Sequence, residues 1–274
     1  MSRIIEFIKA KKKTIIIAAI LLVCSIAIAI GVHAQITSQG KKDKENEQIE
    51  ENYQGLKNNF QEIFTNSINL EATAKLNVNY NELIYTKYDI NDEKSGKYLV
   101  QAKIPAFKGT SDVQKKVNKE IYNTFAKEIL KIANNATEFT TFNLNYVVYV
   151  NNNIASLAIM CTYKNGTNAQ RRMIQTYNYN IDEDKLLNVE DIIEYKKLNK
   201  EEVQNKINTE IKKANNAIKN ISNQGYNVYL RDEESEIYKL ENTANFFLGK
   251  NNYLYLVYAY GNNNYTSEID LVIF

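Results

Sequence analysis

The sequence predicts an α+β domain: a largely antiparallel sheet with two long amphipathic helices on one face, preceded by an N-terminal transmembrane helix. Three observations predict it. Residues 14–32 run for nineteen positions with no charge and no proline. Two later stretches carry an apolar residue every three or four positions, the period of a one-sided helix. Around them, apolar and polar residues alternate, the period of a half-buried strand.

At ~1.5 Å per residue, Thr14–Val32 makes about 28 Å of helix, close to the ~30 Å hydrocarbon core of a bilayer. Arg3, Lys9, Lys11, Lys12 and Lys13 precede it, with Glu6 the one acid. That bias makes residues 1–13 a cytoplasmic tail, residues 14–32 a single-pass anchor in the cell membrane, and everything after it extracytoplasmic. The rival reading is a signal peptide. Val32-His33-Ala34 ahead of Gln35 has the small-x-Ala form of a signal-peptidase site, and cleavage after Ala34 would give a secreted protein. The stretch exceeds the usual apolar core of about 7–15 residues, which favours the anchor. Val23 before Cys24, and the apolar run Ile26–Ile30 after it, exclude a lipoprotein signal.

The 274 residues include 34 basic and 32 acidic side chains; five and one of these precede residue 14, leaving 29 and 31 beyond it. A near-neutral body does not advertise a nucleic-acid partner, and its net charge gives no help toward anionic wall polymers. Cys24 lies in the predicted anchor and Cys161 in the body, so the body can form no internal disulfide. Twenty Tyr, ten Phe and no Trp make tyrosine the main aromatic filler. One proline in the chain argues against a proline-rich spacer.

Residues 33–68 read as a juxtamembrane spacer followed by a helix. Ile49, Tyr53, Leu56, Phe60 and Ile63 line its one face, in a run too short for a coiled coil. The body then divides into halves, 69–165 and 166–274. Leu70, Ala72, Ala74, Leu76, Val78 and Tyr80 alternate as a strand; Leu83–Ile90 is a second. The polar run Asn91–Gly96 turns the chain into a third, Tyr98–Ile104, which Pro105 is expected to stop. Ser111 or Asp112 caps a helix whose apolar face is Val113, Val117, Ile121, Phe125, Ile129 and Ile132. Phe142–Val150 and Ala155–Tyr163 form strands around the Asn151-Asn152-Asn153 turn, and Cys161 keeps step with the apolar residues as a small buried hydrophobe. After the Asn165-Gly166 turn comes the strand Met173–Ile181, then the turn Asp182-Glu183-Asp184. Val203, Ile207, Ile211, Ala214, Ile218 and Ile221 mark the second long helix. Gly225–Glu241 reads as loop, and Phe246–Leu248, Tyr253–Tyr260 and Ile269–Phe274 as the last strands.

The chemistry-bearing residues are few. The one histidine is His33, at the membrane boundary, so the body holds no Ser-His-Asp or Cys-His arrangement and no histidine-containing zinc site. No phosphate-cradling glycine loop appears. Asp182 and Asp184 begin like a calcium loop, but Leu186 occupies the next ligand position and no glycine follows. Asp232, Glu233, Glu234 and Glu236 form a second acidic cluster. A paired-carboxylate hydrolase could use such residues only in a cleft, and as sequence they read as solvated turns. We therefore expect no catalytic residue, no cofactor and no metal, and a protein that is not an enzyme.

With the elements in order, the body resembles the extracytoplasmic region of RsiV-type membrane proteins, and the non-catalytic N-terminal part of PdaC-type peptidoglycan deacetylases. The residues that carry the resemblance are Tyr98-Leu99-Val100, Ile104-Pro105-Ala106-Phe107-Lys108-Gly109 and Val117-Asn118 in the first half. In the second they are Tyr177-Asn178-Tyr179-Asn180-Ile181-Asp182, Lys185-Leu186-Leu187-Asn188-Val189-Glu190-Asp191-Ile192, Leu254–Tyr260 and Glu268–Ile273, so that residues 70–274 are covered. The family's Gly-Gly-Ala-His turn is here Asn165-Gly166-Thr167-Asn168-Ala169, and Gly261-Asn262-Asn263-Asn264 lacks the family's proline. The resemblance implies an anchored binding or sensing module of the cell envelope whose partner is lysozyme or peptidoglycan. It also implies release by signal peptidase at Val32, His33 and Ala34 once the partner binds. An expected tail of thirteen residues makes at most about four helical turns, too little to hold a sigma factor. The alternatives are an accessory structural envelope protein without signalling and a cell-wall hydrolase.

Overall fold

In the computed structural model, residues 47–70, 83–222, 230–259 and 269–274 are described. The anchor 14–32, the motif at Val32, His33 and Ala34, the spacer, the alternation from Ala72 to Tyr80 and the loop 261–264 lie outside them. Among the described residues no helix is long and apolar enough to cross a membrane. The chain forms two compact units, Met1–Asn59 and Phe60–Phe274. In the first, helix α1 spans 47–58. The predicted helix to Ile63 is cut short there: Phe60–Ile63 is a 3₁₀ turn of the second unit, where Phe60 is buried.

The second unit holds two sheets, not the single sheet predicted. Strands β1 (Ser67–Leu70), β2 (Ile84–Lys94), β3 (Tyr98–Phe107), β4 (Thr140–Asn151), β5 (Ile154–Asn165), β6 (Arg171–Asn180) and β7 (Lys185–Leu186) form a seven-stranded sheet in the order β2-β3-β4-β5-β6-β7, with β1 also on β4. Strands β8 (Asn245–Leu248), β9 (Leu254–Ala259) and β10 (Ile269–Ile273) form a second, antiparallel sheet in the order β10-β9-β8. Most pairings are antiparallel. Those of β3 and of β1 with β4 are parallel, and β1 takes over from β3 along the same edge of β4. Between β3 and β4 the chain crosses over through α2 (Asp112–Ile121), a π-helical turn (Tyr122–Ala126) and α3 (Lys127–Asn135), which run as one continuous helix.

The π turn has a sequence cause. Val113, Val117, Ile121, Phe125 and Ile129 follow each other at every fourth residue. Each such step overshoots an α-helical turn by about 40°, so the apolar stripe would wind off the sheet. One wide turn takes up the drift and keeps Val117, Ile121, Phe125, Ile129 and Ile132 against Val100, Phe142, Leu144, Leu157 and Ile159 in one core. Ser111 caps α2, its hydroxyl accepting from the Gln114 amide. Cys161 is buried in the same core.

The second predicted helix, α5 (Lys200–Ser222), packs on the other sheet. The expectation that both helices share a face therefore fails. Val203, Ile207 and Ile211 meet Leu248, Leu254, Leu256 and Val272, together with Ile192 and Ile193 of a short helix the strand-and-helix periods did not announce, α4 (Val189–Tyr195). A capping box at Asn188 and Asp191 starts that helix; it was legible in the sequence as Asn-x-x-Asp before an apolar pair. Two further boundaries differ from expectation. β2 runs through Asn91–Lys94, leaving only Ser95-Gly96-Lys97 to turn, with Gly96 at a φ of +69°. β3 continues past Pro105 to Phe107, because beyond Ala102 its β4 neighbour is gone and the proline, which has no N–H to donate, sits opposite a register break between Thr86 and Tyr88.

One face of the seven-stranded sheet covers the long helix; the other seats β8. Phe246 N–H bonds to Thr176 Oγ1 (2.9 Å) and Phe246 C=O accepts from Asn178 Nδ2 (2.7 Å). Leu248 N–H bonds to Ser156 Oγ (3.2 Å), whose own proton goes to Asn178 Oδ1 (2.6 Å). Asn151 Nδ2 reaches the carbonyls of Leu248 and Gly249 at 3.4 and 3.2 Å. The free edge of β8 is thus satisfied by side chains standing up from β4, β5 and β6. Asn178→Ala strips the buried Phe246 carbonyl and Ser156 hydroxyl of their partner. It should cost about 2–3 kcal/mol, read as a lowered urea midpoint at unchanged m-value, and Thr176→Val should cost less.

Candidate functional site

The chain from 230 to 242 crosses the second sheet as a strap between α5 and β8, and amide side chains of α5 hold it. Asn215 Nδ2 donates to Arg231 C=O (3.0 Å) while its Oδ1 accepts from Arg231 N–H (2.7 Å), a two-way bond of the kind a strand neighbour would make. Asn215 also donates to Glu233 Oε1 at 2.7 Å. Three turns earlier, Gln204 accepts from Leu240 N–H (2.8 Å) and donates to Tyr238 C=O (3.0 Å). The strap is anchored from beneath by Arg231, whose Nε and Nη2 donate to Asp270 Oδ2 and Oδ1 at 3.0 and 2.8 Å. Both side chains are almost fully buried, 5% and 10% exposed, and the two-bond fork leaves each charge paired, so that removing either partner would strand the other inside the fold. Tyr238 hydroxyl adds a long bond to Asp270 at 3.5 Å, and its ring meets Tyr258 edge-to-face at 5.4 Å.

Between strap and helix lies an open cleft of about 540 Å³, with Gln204, Asn208, Thr209 and Lys212 on the helix side and Glu233, Glu234, Ser235, Lys239 and Glu241 on the strap side. A smaller groove of about 360 Å³ on the strap's far flank is lined by Glu236, Ile237, Asn242, Asn245, Val257 and Tyr258. Amides, hydroxyls, three carboxylates and two ammonium groups around one cleft suit reversible polar recognition, with an acidic excess.

The acidic residues singled out in the sequence take different places. Glu233 and Glu234 line the cleft, whereas Asp232 caps its own turn by accepting from Glu234 N–H (3.2 Å). Glu236 pairs with Lys239 at 2.5 Å and accepts from Asn242 at 3.4 Å, closing the strap's 3₁₀ turns. Asp182 and Asp184 are elsewhere, on the turn between β6 and β7. There Asp184 accepts from Ser111 hydroxyl (2.7 Å) and Tyr179 hydroxyl (2.8 Å), pinning that turn to the start of α2. Gln114 donates to the Tyr179 hydroxyl at 2.9 Å in turn. Burial, followed by the bond to Asp184, pushes the Tyr179 phenol up to about 12. Among the described residues no group of three or more His, Cys, Asp or Glu side chains converges as a metal site. Cys161 lies in the core under the seven-stranded sheet, where burial pushes its thiol up to about 12. Sequence reasoning missed Gln204, Asn215, Arg231 and Asp270. The signal for the last was present, an acid set one residue into the apolar strand Ile269–Ile273.

No family model matches the chain, and no curated protein matches it. Among solved structures, the chain is similar to a DUF3298 family protein from Pseudomonas aeruginosa, at 13% identity and a TM-score of 0.38, over 63% of this chain and 78% of that one.

Two outcomes follow from this geometry. Arg231→Met should cost about 3–5 kcal/mol by leaving Asp270 charged and buried, and Asp270→Leu added to it should restore much of that, read by denaturant unfolding. Because the native Cys161 thiol keeps its proton up to about 12 while the unfolded one loses it near 9, stability must fall as pH rises between those values. Burial raises Tyr177, Tyr255 and Tyr258 as well, which adds to the same loss. Cys161→Ala should flatten the fall in part, and native Cys161 should resist alkylation at pH 8 until the protein is unfolded.

Proposed function

We propose that this protein is a membrane-anchored extracytoplasmic binding module of the cell envelope, a sensor or receptor and not an enzyme, whose partner is lysozyme or the peptidoglycan it attacks. The observation that carries the reading is the uncharged stretch 14–32 behind five basic residues, which directs the remainder outward. The resemblance to RsiV-type ectodomains supports it over residues 70–274. So does the cleft beside the strap: Glu233, Glu234 and Glu241 outnumber Lys212 and Lys239, an excess suited to a cationic protein. In this reading the motif Val32-His33-Ala34 is where signal peptidase would release the module after capture.

The test uses full-length protein in neutral lipid nanodiscs, with lysozyme binding followed by surface plasmon resonance and peptidoglycan binding by sedimentation with sacculi. Lysozyme should bind, weaken with added salt, and lose roughly tenfold or more when Glu233, Glu234 and Glu241 are changed together to Gln. Failure of both lysozyme and sacculi to bind would reject the reading. So would a reporter fused after Phe274 that is active only in the cytosol.

A further inference from the structure

We propose that the outward face of the α2–α3 helix is a docking surface for a linear, phosphate-bearing polyanion. The continuous helix spans residues 112–135, about 36 Å. Its exposed side presents Lys115, Lys116, Lys119, Lys127 and Lys131. The π turn that keeps the buried stripe on the sheet also keeps these lysines in one file, since the two faces turn together. Of the carboxylates on the helix, Asp112 pairs with Lys115 (3.4 Å) and Glu128 with Lys131 (3.5 Å). Glu120 is half-buried and accepts from Tyr177 hydroxyl at 3.4 Å. Lys116, Lys119 and Lys127 make no ion pair among the described residues. The near-neutral sum over the body therefore conceals a segregation: acids gather at the strap, and an unneutralised cationic file lies on this helix.

The form of the file selects the occupant. It is a narrow line and not a plane, and it follows one helix for its whole length. Only Tyr122 (37% exposed) and Leu130 (52% exposed) interrupt it with apolar surface, too little to sink a face into a bilayer. The cations are all lysines, point charges that bind phosphate oxygens singly and without the fixed bidentate geometry an arginine fork imposes, which suits a flexible repeating chain. A chain of repeating phosphates laid along the helix meets Lys115, Lys116 and Lys119 at one end and, about two turns on, Lys127 and Lys131 at the other, and releases counterions as it binds. The inference rests on the extracytoplasmic reading only for where such a polymer would be met.

The experiment takes full-length protein in neutral nanodiscs and measures binding of long-chain inorganic polyphosphate across a salt series, with vesicles of anionic phosphatidylglycerol as the competing surface. Polyphosphate should bind, with log K falling against log salt at a slope of about −3, roughly 0.7 for each phosphate neutralised. Changing Lys116, Lys119 and Lys127 together to Gln should weaken binding roughly tenfold or more at moderate salt and lower the slope by about 2. The same three changed to Arg should retain it, and Lys212→Gln with Lys239→Gln, at the cleft, should leave it unchanged. All five positions are exposed, and circular dichroism checks that each variant is folded. Unchanged binding in the triple Gln variant overturns the proposal. Binding to anionic vesicles that polyphosphate does not displace overturns it too, in favour of a membrane face. A cytosolic C-terminus would sink the extracytoplasmic reading and leave this measurement standing.

Discussion

The body depends on one unusual seam, where strand β8 rests edge-on against the face of another sheet. An edge strand normally exposes a row of open N–H and C=O groups, which are costly to bury and prone to pair with other chains. Here Thr176, Asn178, Ser156 and Asn151 supply the missing partners from above, in step with the alternation of β8. Phe246 and Leu248 turn their backbone groups to these side chains, while Phe247 pairs with Tyr255 of β9. Because the partners are polar side chains with directional bonds, the seam sets a single register, which apolar contact alone would not.

Aromatic packing completes the seam. Phe247 and Tyr255 stack at 4.6 Å with their planes 4° apart, Tyr149 stacks on Phe247 at 6.3 Å, and Phe60 leans on both Phe247 and Tyr255. Each such pair contributes about 0.5–1.5 kcal/mol beyond its burial. Gly249 is required beside them: a Cβ there would lie 2.5 Å from the Tyr255 ring. Everything at the C-terminal end then hangs from this seam. The second sheet holds α5, α5 holds the strap through Gln204 and Asn215, and strap and helix together enclose the cleft.

Charge behaves in a parallel way. Counted along the chain, the body is close to neutral, which argued against any polyanionic partner. In three dimensions, the acids of Glu233, Glu234 and Glu241 share a cleft, and lysines 115 to 131 share a helix face. Partners respond to local field and not to the sum, since charges more than about 10 Å apart are largely screened at physiological salt. The same molecule therefore carries an acid-rich cleft and a lysine-lined helix face that the sum along the chain conceals.

The sequence by itself determined most of the elements: the period-two strands from Phe142 to Ile181, the capped helix at Ser111, the helix from Val203, the buried register of Cys161 and the turns at Asn152 and Gly166. These follow from alternation, capping and backbone preference, which act between residues close in the chain. Even the π turn was written in the run of fourth-residue steps. Only the tertiary structure decided that there are two sheets, that each long helix serves a different one, that Pro105 sits inside a strand, and that Arg231 meets Asp270. Those outcomes turn on which strand edges find partners and which buried charges meet, between residues as far apart as Asn151 and Leu248, and no local period records such a meeting.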